Sequence, residues 1–343
     1  MPEKDAEDAL QEIMGLLIEF PFKTEEDRSA AIAGILTAVI RPSLSHAPAI
    51  HCNAPQISSG KTYLMKFKAL FATPFPVASS EFPRSEDECR KQLFALLRRA
   101  PPVIFFDNVN IDLPPYQSLC SILTEENFSS RILGQSDAQV VGTRTLFLAN
   151  GNNVLPIEDM VRRVITITLH PTCEIPATKR YSNKKLLDDI LENRSHYVSL
   201  ALTMIRAWIV AGRPLEEVPP IATYGDWSNY CRQVLLWLGL PDPAKSLLIA
   251  LKRDPDREIL GCLLHAWYNL FRSQSVMLRS AIENANDILE EVLIEINGGQ
   301  SSLNHRKLGR WLKRHAGRIV DGLKFEQDDS VRLSAQAWRV ISV

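Results

Sequence analysis

The segment AIHCNAPQISSGKTYLMK, residues 49–66, contains the signals of a strand, a tight loop and a helix in direct succession. Its apolar start is typical of a buried strand, and a helix is expected to begin at Gly60, Lys61 and Thr62. Such a loop turns backbone N–H groups and the positive end of the helix toward phosphate. The lysine then reaches the β- and γ-phosphates, and the threonine hydroxyl binds Mg²⁺. The segment therefore predicts a phosphate-binding loop (P-loop), with ATP and Mg²⁺ as cofactors.

The loop departs from the usual G-x-x-x-x-G-K-[ST] pattern at its first position, where Pro55 replaces glycine. Proline has no N–H group, but the donors nearest to the phosphates are expected from Ser58 to Thr62, so phosphate binding is still expected. The G-K-T triplet alone is a weak signal, which the flanking strand and helix strengthen. The predicted nucleotide-binding residues are Pro55, Ser58, Ser59, Gly60, Lys61, Thr62 and Tyr63.

Two more apolar segments end in a polar side chain. In PPVIFFDNVN, residues 101–110, the strand leads to Asp107, a carboxylate that could hold Mg²⁺ through water beside the P-loop. In TRTLFLANGNN, residues 143–153, the strand ends at Asn150, whose amide could position the attacking water. Each feature alone is typical of a core strand with a polar turn. Their order along the chain indicates an ATPase core.

The residue after Asp107 is Asn108, at a position where many ring ATPases have a glutamate that activates water. The identity of the catalytic base therefore stays open. Glu125, Glu126 or another carboxylate could serve, or Asn108 could only orient the water. The predicted metal ligands are Thr62 and Asp107.

A pair of arginines precedes the next apolar strand in DMVRRVITITL, residues 159–169. An arginine here could point across a subunit interface and stabilise charge in the transition state, although surface arginines are also common for structural reasons. Arg163 is slightly favoured over Arg162, and Arg206 is a weaker candidate for sensing the γ-phosphate. The predicted catalytic residues are Lys61, Asp107, Asn108, Asn150, Arg162 and Arg163.

Together these motifs resemble the AAA+ helicase domain of phage- and mobile-element-encoded primase-helicase proteins, which is related to MCM-like and superfamily 3 replicative helicases. That family tolerates both Pro55 and Asn108 at these positions. Its members often carry a primase or other N-terminal module that this sequence lacks, so a truncated and a stand-alone protein are both open. The resemblance is carried by AP-x-x-x-SGKT (54–62), FFDNVN (105–110), SRILG (130–134), LANGNN (148–153), DMVRR (159–163), RAWIVAGRP (206–214), DWSNYCRQVLLWLG (226–239) and LGRWLKRHAGRIVDGL (308–323).

The resemblance implies an α/β fold of the AAA+ P-loop ATPase class, with a mainly parallel five-stranded sheet, an α-helical lid and a C-terminal winged helix. After about residue 176 the alternation of strands and helices stops, and long segments have apolar residues at helical spacing, so this half of the chain is expected to be mainly α-helical. The expected domains are an acidic helical segment at 1–43, the ATPase core at 44–175, the lid at 176–254 and the winged helix at 255–343.

The stretch LNHRKLGRWLKRHAGRIV, from Leu303, has six positive and no negative charges up to Ile319. It has an apolar face at helical spacing, and DGLKFEQ and SAQAWRVIS after it resemble the strands of a hairpin. A helix followed by a β wing fits a winged helix that binds duplex DNA, whereas the alternative is a solvated basic helix. The predicted DNA-binding residues are Arg306, Arg310, Lys313 and Arg314.

Composition excludes several classes of protein. With 343 residues, 45% hydrophobic, 23% charged and a net charge of -1, the chain is expected to be globular and not disordered. No apolar stretch reaches the roughly 20 residues that cross a bilayer, so no membrane partner is expected. Six scattered cysteines without metal-ligand spacing favour a reducing, cytoplasmic location.

The expected function is an ATP-dependent DNA helicase or translocase in phage or mobile-element replication. It is expected to act as a homo-oligomer, a hexameric ring with a trans arginine, on single-stranded DNA and with a primase as a further partner. The segment FSSRILGQSDAQVVGTR, and within it residues 132–143, is expected to form a hairpin that grips one strand. Two alternatives remain. One is an ATP-switched initiator or loader that binds duplex origin DNA without processive unwinding, and the other is a nucleotide-binding scaffold without turnover.

Overall fold

The computed structural model divides the chain into two compact units, Met1–Leu251 and Lys252–Val343. The expected domain boundaries after residues 175 and 254 fall outside the described residues. The structure describes residues 2–131, 138–171, 183, 185–252, 255–300, 302–328 and 337–343.

The first unit is built on a parallel sheet. Its strands are β1 (Ala49–Ala54), β2 (Ser79–Ser80), β3 (Val103–Val109), β4 (Asn127–Arg131), β5 (Ala138–Gly142), β6 (Leu146–Asn152) and β7 (Val164–Thr168). Five of them form a sheet in the order β2-β3-β6-β1-β7, and every pairing in it is parallel. The prediction of an α/β fold with a five-stranded parallel sheet is thereby confirmed. The short strand β2 lies at an edge and lacks the apolar run that marks the other four.

Helices cover both faces of this sheet. Ile50 and Cys52 of β1 belong to a core that includes α2 (Glu25–Ile40) and α3 (Lys61–Ala72). Ile104 and Phe106 of β3 belong to a second core with α4 (Glu86–Leu97) and α5 (Gln117–Thr124). After β7, the described chain of this unit consists of helices and loops. The helices are α1 (Pro2–Leu16), α2 (Glu25–Ile40), α3 (Lys61–Ala72), α4 (Glu86–Leu97), α5 (Gln117–Thr124), α6 (Leu186–Glu192), α7 (Arg194–Val210), α8 (Gly225–Trp227), α9 (Val234–Trp237) and α10 (Lys245–Lys252).

Strands β4 and β5 form an antiparallel ribbon apart from the main sheet. They correspond to the two sides of the hairpin expected between the Asp107 and Asn150 strands. The residues that would join them, 132–137, lie outside the described part of the chain.

The second unit combines helices with a small antiparallel sheet of β8 (Val276–Met277), β9 (Leu323–Asp328) and β10 (Ala337–Ser342). The strand order in this sheet is β8-β10-β9. Trp267, Phe325 and Trp338 are almost fully buried in its core. The two strands of the expected hairpin therefore pair, as β9 and β10, while residues 329–336 between them lie outside the described residues. Its elements are α11 (Pro255–Phe271), β8 (Val276–Met277), α12 (Leu278–Glu283), α13 (Asp287–Ile296), α14 (His305–His315), β9 (Leu323–Asp328) and β10 (Ala337–Ser342).

In the described ranges of both units, no helix has the length and apolar character needed to span a lipid bilayer.

Candidate nucleotide-binding site

The loop between β1 and α3 is tightly folded. Ser58 and Gly60 both have left-handed backbone angles, with φ of 59° and 89°, and Gly60 directly precedes the first residue of α3. The buried Ser59 hydroxyl donates a hydrogen bond to the carbonyl oxygen of Gln56 across this turn. The loop therefore lies over the amino end of α3, where the backbone N–H groups of the helix attract anions.

Three polar side chains meet at the edge where β1, β3 and β6 end, which we call the carboxyl edge of the sheet. The Thr62 hydroxyl donates to Asp107 Oδ1 at 2.8 Å. The Asn150 amide donates to the same carboxylate oxygen at 2.8 Å and lies 3.3 Å from Thr62 Oγ1. Residues from α3, β3 and β6 are thereby joined in one network.

Asn108 and Asn150 extend this network differently from each other. Asn150 is fully buried, and its Oδ1 accepts a hydrogen bond from the Asn108 backbone N–H at 2.9 Å. Asn108 is exposed and has a left-handed φ of 54°, a conformation that asparagine tolerates better than most residues. The Asn150 amide therefore fixes the backbone turn that follows Asp107.

Lys61 lies beside this network and is 7% exposed. Its ammonium group donates to Asn152 Oδ1 at 2.6 Å and to the Gln56 carbonyl oxygen at 3.1 Å. Burial lowers the pKa of Lys61, while the nearby Asp107 carboxylate opposes that change. Phosphate would supply the negative charge that this partly desolvated ammonium favours.

A cavity of about 510 Å³ opens beside the loop. Its apolar side is formed by Phe20, Ile57, Tyr63 and Leu186, and the Tyr63 hydroxyl accepts from the Leu187 N–H at 3.4 Å. Its volume and its mixture of apolar and polar walls suit a nucleotide. The residues that line it are Glu19, Phe20, Pro21, Ile57, Ser58, Ser59, Gly60, Lys61, Thr62, Tyr63, Asn108, Asn152, Asn183 and Leu186.

The donor set fits Mg²⁺. Two oxygens at neighbouring octahedral positions of this ion, each about 2.1 Å from it, lie about 3 Å apart. Thr62 Oγ1 and Asp107 Oδ1 are 2.8 Å apart. The described residues contain no cluster of three or more His, Cys, Asp or Glu that could cage a metal. An ion here would therefore be held as Mg²⁺ usually is, by one or two side chains together with phosphate and water.

The structure brings together most of the predicted site. Pro55 and Arg206 do not line the cavity, although Pro55 belongs to the loop. Asp107 and Asn150 belong to the network beside the cavity but do not line it, and neither Arg162 nor Arg163 does. Glu126 pairs with Arg144 at 2.7 Å, just before β6 begins, and Glu125 is its neighbour. Both glutamates thus lie at the amino edge of the sheet, opposite to the network. Neither glutamate is therefore close to the network of its own chain, and the identity of the catalytic base stays open.

The predicted arginine pair also lies at the amino edge, in a 3₁₀ turn at Glu158–Arg163. Arg163 is buried, and its guanidinium binds the Asp159 carboxylate at 2.7 Å and the Asp159 carbonyl oxygen at 2.6 Å. Arg162 also pairs with Asp159, but its side chain is 45% exposed. Arg163 was slightly favoured from sequence as the arginine that points across a subunit interface. In the structure Arg163 is buried, and Arg162 is the arginine of the pair that faces solvent.

The four predicted DNA-binding residues lie on α14 in the second unit, and all four are exposed. The opposite face of the helix buries Leu308 and Leu312, and Asn304 caps its amino end by accepting from two backbone N–H groups. These exposed residues are Arg306, Arg310, Lys313 and Arg314.

Seven of the residues that line the cavity were not predicted from sequence: Glu19, Phe20, Pro21, Ile57, Asn152, Asn183 and Leu186. Asn152 lies two residues after Asn150 in β6, so both side chains are on the same face of the strand. The two-residue period of strands could therefore have indicated Asn152. Phe20 precedes α2 and Leu186 begins α6. Neither apolar residue has any mark in the sequence that distinguishes it from ordinary core positions.

Neither a protein-family model nor a curated protein sequence matches the chain. Among solved structures, the chain is similar to an apo structure of the NrS-1 C-terminal region, at 14% identity and a TM-score of 0.41, over 93% of this chain and 76% of that one. A second apo structure of that region has 13% identity and a TM-score of 0.45, over 96% and 74%. Because the identities and TM-scores are low, the case for a function rests on the geometry of the site.

Proposed function

We propose that the first unit binds Mg²⁺ and ATP at the candidate site and hydrolyses the nucleotide. The observation that carries this proposal is the hydrogen-bonded network of Thr62, Asp107 and Asn150 beside Lys61, at the carboxyl edge of a parallel sheet. Ligands of open parallel sheets bind outside the carboxyl ends of the strands. A hydroxyl, a carboxylate and an ammonium group there match the needs of a metal-bound triphosphate.

Each side chain has a distinct role in this proposal. Lys61 contacts the β- and γ-phosphates, and Thr62 and Asp107 hold Mg²⁺, with Asp107 acting directly or through water. A Mg²⁺ ion held by these two residues would supply neutralisation of the charge that develops on the phosphate oxygens. Asn150 holds the Asp107 carboxylate and the Thr62 hydroxyl in position through its side-chain amide. The apolar wall of the cavity contacts the nucleobase of ATP.

The candidate for water activation is less usual. Glu19 is the one carboxylate among the described residues that line the cavity, and it accepts a hydrogen bond from the Asn183 N–H at 3.2 Å. Asn108 can orient water but cannot accept its proton as a carboxylate would. The presence of asparagine where a glutamate base is usual favours slow hydrolysis. Slow hydrolysis in turn supports a second function, an initiator or loader that uses ATP as an assembly switch.

Completion of the site by a neighbouring subunit is part of the proposal. Ala49 at the start of β1 pairs with Val164, which directly follows the arginine pair, whereas the P-loop leaves β1 after Ala54. Five residues of strand separate the two edges by about 17 Å. Arg162 therefore acts on a second copy of the chain, and not on its own site, in a ring of identical subunits.

The DNA contacts follow from charge and exposure. The exposed basic face of α14 binds duplex phosphates, and the β4–β5 ribbon contacts single-stranded DNA. We propose that ATP turnover drives translocation and unwinding in phage or mobile-element replication, as the motif resemblance implies.

The test is ATP hydrolysis measured with and without forked DNA, together with strand separation. Wild-type protein is expected to hydrolyse ATP and to open the fork. Asp107→Ala should lower turnover by on the order of a hundredfold or more, since it removes metal-mediated stabilisation. Asp87→Ala, which removes an exposed carboxylate from α4, is the control. Turnover without strand separation would support the initiator, and absence of turnover under all conditions would contradict hydrolysis.

A further inference from the structure

The amide of Asn150 is fully engaged within the protein. Its Nδ2 donates to Asp107 at 2.8 Å and lies 3.3 Å from the Thr62 hydroxyl, and its Oδ1 accepts from the Asn108 N–H. The side chain is fully buried and does not line the cavity. Asn150 therefore organises its neighbours, and a different polar group must face a ligand from the end of β6.

Asn152 is that group. It is exposed, it lines the cavity, and it lies two residues beyond Asn150, on the same side of β6. Its Oδ1 accepts a hydrogen bond of 2.6 Å from the Lys61 ammonium. This is a charge-assisted bond, and it is shorter than the 3.1 Å bond from Lys61 to the Gln56 carbonyl oxygen.

The backbone holds Asn152 in this position. It pairs with Ala54, the last residue of β1 before the P-loop. The preceding Gly151 is so closely packed that a Cβ atom there would lie 2.6 Å from the Val109 carbonyl oxygen and 2.8 Å from Val154 Cβ. The end of β6 therefore cannot move aside easily, and the contact between Asn152 and Lys61 is set by the sheet.

We propose that Asn152 is a positioning residue for Lys61, and that it competes with the phosphates of the nucleotide for the Lys61 ammonium group. This inference rests on the proposed function, in which Lys61 is the main phosphate contact. The amide is neutral, so a triphosphate displaces it readily. A carboxylate in its place would form an ion pair with Lys61 and would also repel phosphate.

Two variants of this residue and one matched control test the proposal. Asn152→Asp places a carboxylate against Lys61, and Asn152→Ala removes the acceptor. Asn153→Asp adds the same charge at the next residue, which is exposed, does not line the cavity, and has a left-handed φ of 52° that aspartate tolerates. Two quantities are measured: the affinity for a fluorescent ATP analogue, and the rate at which an acylating reagent modifies Lys61 in protein without nucleotide, followed by mass spectrometry.

We expect Asn152→Asp to weaken nucleotide affinity by about tenfold or more and to slow the acylation of Lys61, because an ion pair holds its proton. Asn152→Ala should strengthen nucleotide affinity by roughly threefold and speed the acylation. Asn153→Asp should leave both within about twofold of wild type.

Weaker nucleotide binding by Asn152→Ala would overturn the proposal, because it would assign Asn152 to direct contact with phosphate. Unchanged acylation of Lys61 in both Asn152 variants would also overturn it. If wild-type protein does not bind the analogue, the proposed function fails, while the acylation rates still decide whether Asn152 positions Lys61. Asn152→Val, which also removes the acceptor, replaces Asn152→Ala if the latter lowers the melting temperature.

Discussion

Lys68 is a fully buried cation on α3. Its Nζ has no hydrogen-bond partner among the described residues, and its chain fills the space left by Gly34 of α2, where a Cβ would lie 2.8 Å from Lys68 Cε. Burial lowers the pKa of Lys68 to about 7, because the charged form loses its hydration. The side chain is therefore retained in the core mainly in its neutral form above that pH.

This environment predicts a pH-dependent gain of stability from Lys68→Met. Between pH 7 and about 10.5 the unfolded chain binds a proton at this lysine that the folded chain does not, so wild-type stability rises with pH across that window. Lys68→Met removes this slope and should raise the free energy of unfolding by up to about 4 kcal/mol near pH 7. The gain should shrink toward pH 10.

Urea denaturation of both proteins at several pH values measures this difference. Lys66→Met, at an exposed lysine of the same helix, is the control and should change stability little at any pH. Parallel curves of unfolding free energy against pH for wild type and Lys68→Met would contradict the assignment.

At the scale of elements, the position of the 3₁₀ turn at Glu158–Arg163 predicts complementation between inactive subunits. If Arg162 acts on a neighbouring subunit as proposed, Arg162→Ala should abolish turnover and leave nucleotide affinity within about twofold. Asp107→Ala has an inactive site but keeps its arginine. Mixing the two variants should restore part of the activity, because some interfaces then combine an intact site with an intact Arg162.

Steady-state ATPase assays on the separate and mixed variants test this prediction. Arg144→Ala removes an arginine of similar exposure from the same edge of the sheet, and turnover should be retained. A mixture that stays inactive while both proteins remain folded and assembled would exclude action in trans.

The charge pattern of α14 predicts the salt dependence of duplex binding. Each phosphate contact contributes about 0.9 to the slope of log affinity against log salt. Arg310→Ala combined with Lys313→Ala should therefore flatten this slope by up to about two units. Fluorescence anisotropy with labelled duplex at several salt concentrations measures it. Arg272→Ala combined with Arg279→Ala removes two exposed charges elsewhere in the same unit, and an effect equal to that of the α14 pair would mean that α14 has no special role.

Strand geometry explains why much of the network could be predicted from sequence. Residues two apart share a face of a strand, and the carboxyl ends of parallel strands meet at one edge, so Asp107 and Asn150 were expected near the P-loop. By the same two-residue repeat, Asn152 lies on the face of β6 that Asn150 occupies. Phe20 and Leu186 could not be predicted, because their approach depends on how distant helices pack around the loop.

The arginine pair and the glutamates show a second limit of sequence. Arg162 and Arg163 are adjacent, and only the 3₁₀ turn decides which of them is buried against Asp159. Glu126 follows a helix after the Asp107 strand, so its distance from the network depends on the path of that helix back to the amino edge of the sheet. The direction that the chain takes after this helix cannot be deduced from the order of the residues alone.

At the scale of the whole molecule, the chain divides its expected tasks between two units. Every residue of the candidate nucleotide site belongs to Met1–Leu251, and the exposed basic helix belongs to Lys252–Val343. The proposed nucleotide binding therefore needs side chains of the first unit only. Variants of α14 should leave it unchanged, which allows the two activities to be measured separately.

Calorimetric titration of ATP with Mg²⁺ into wild-type protein and Lys61→Ala tests the proposal that the cavity beside Lys61 is a site for nucleotide. We expect saturable binding at one site per chain in wild type, weakened by about thirtyfold or more in Lys61→Ala, because a buried charge contact to phosphate is lost. Equal affinity in the two folded proteins, or no binding to wild type, would contradict it.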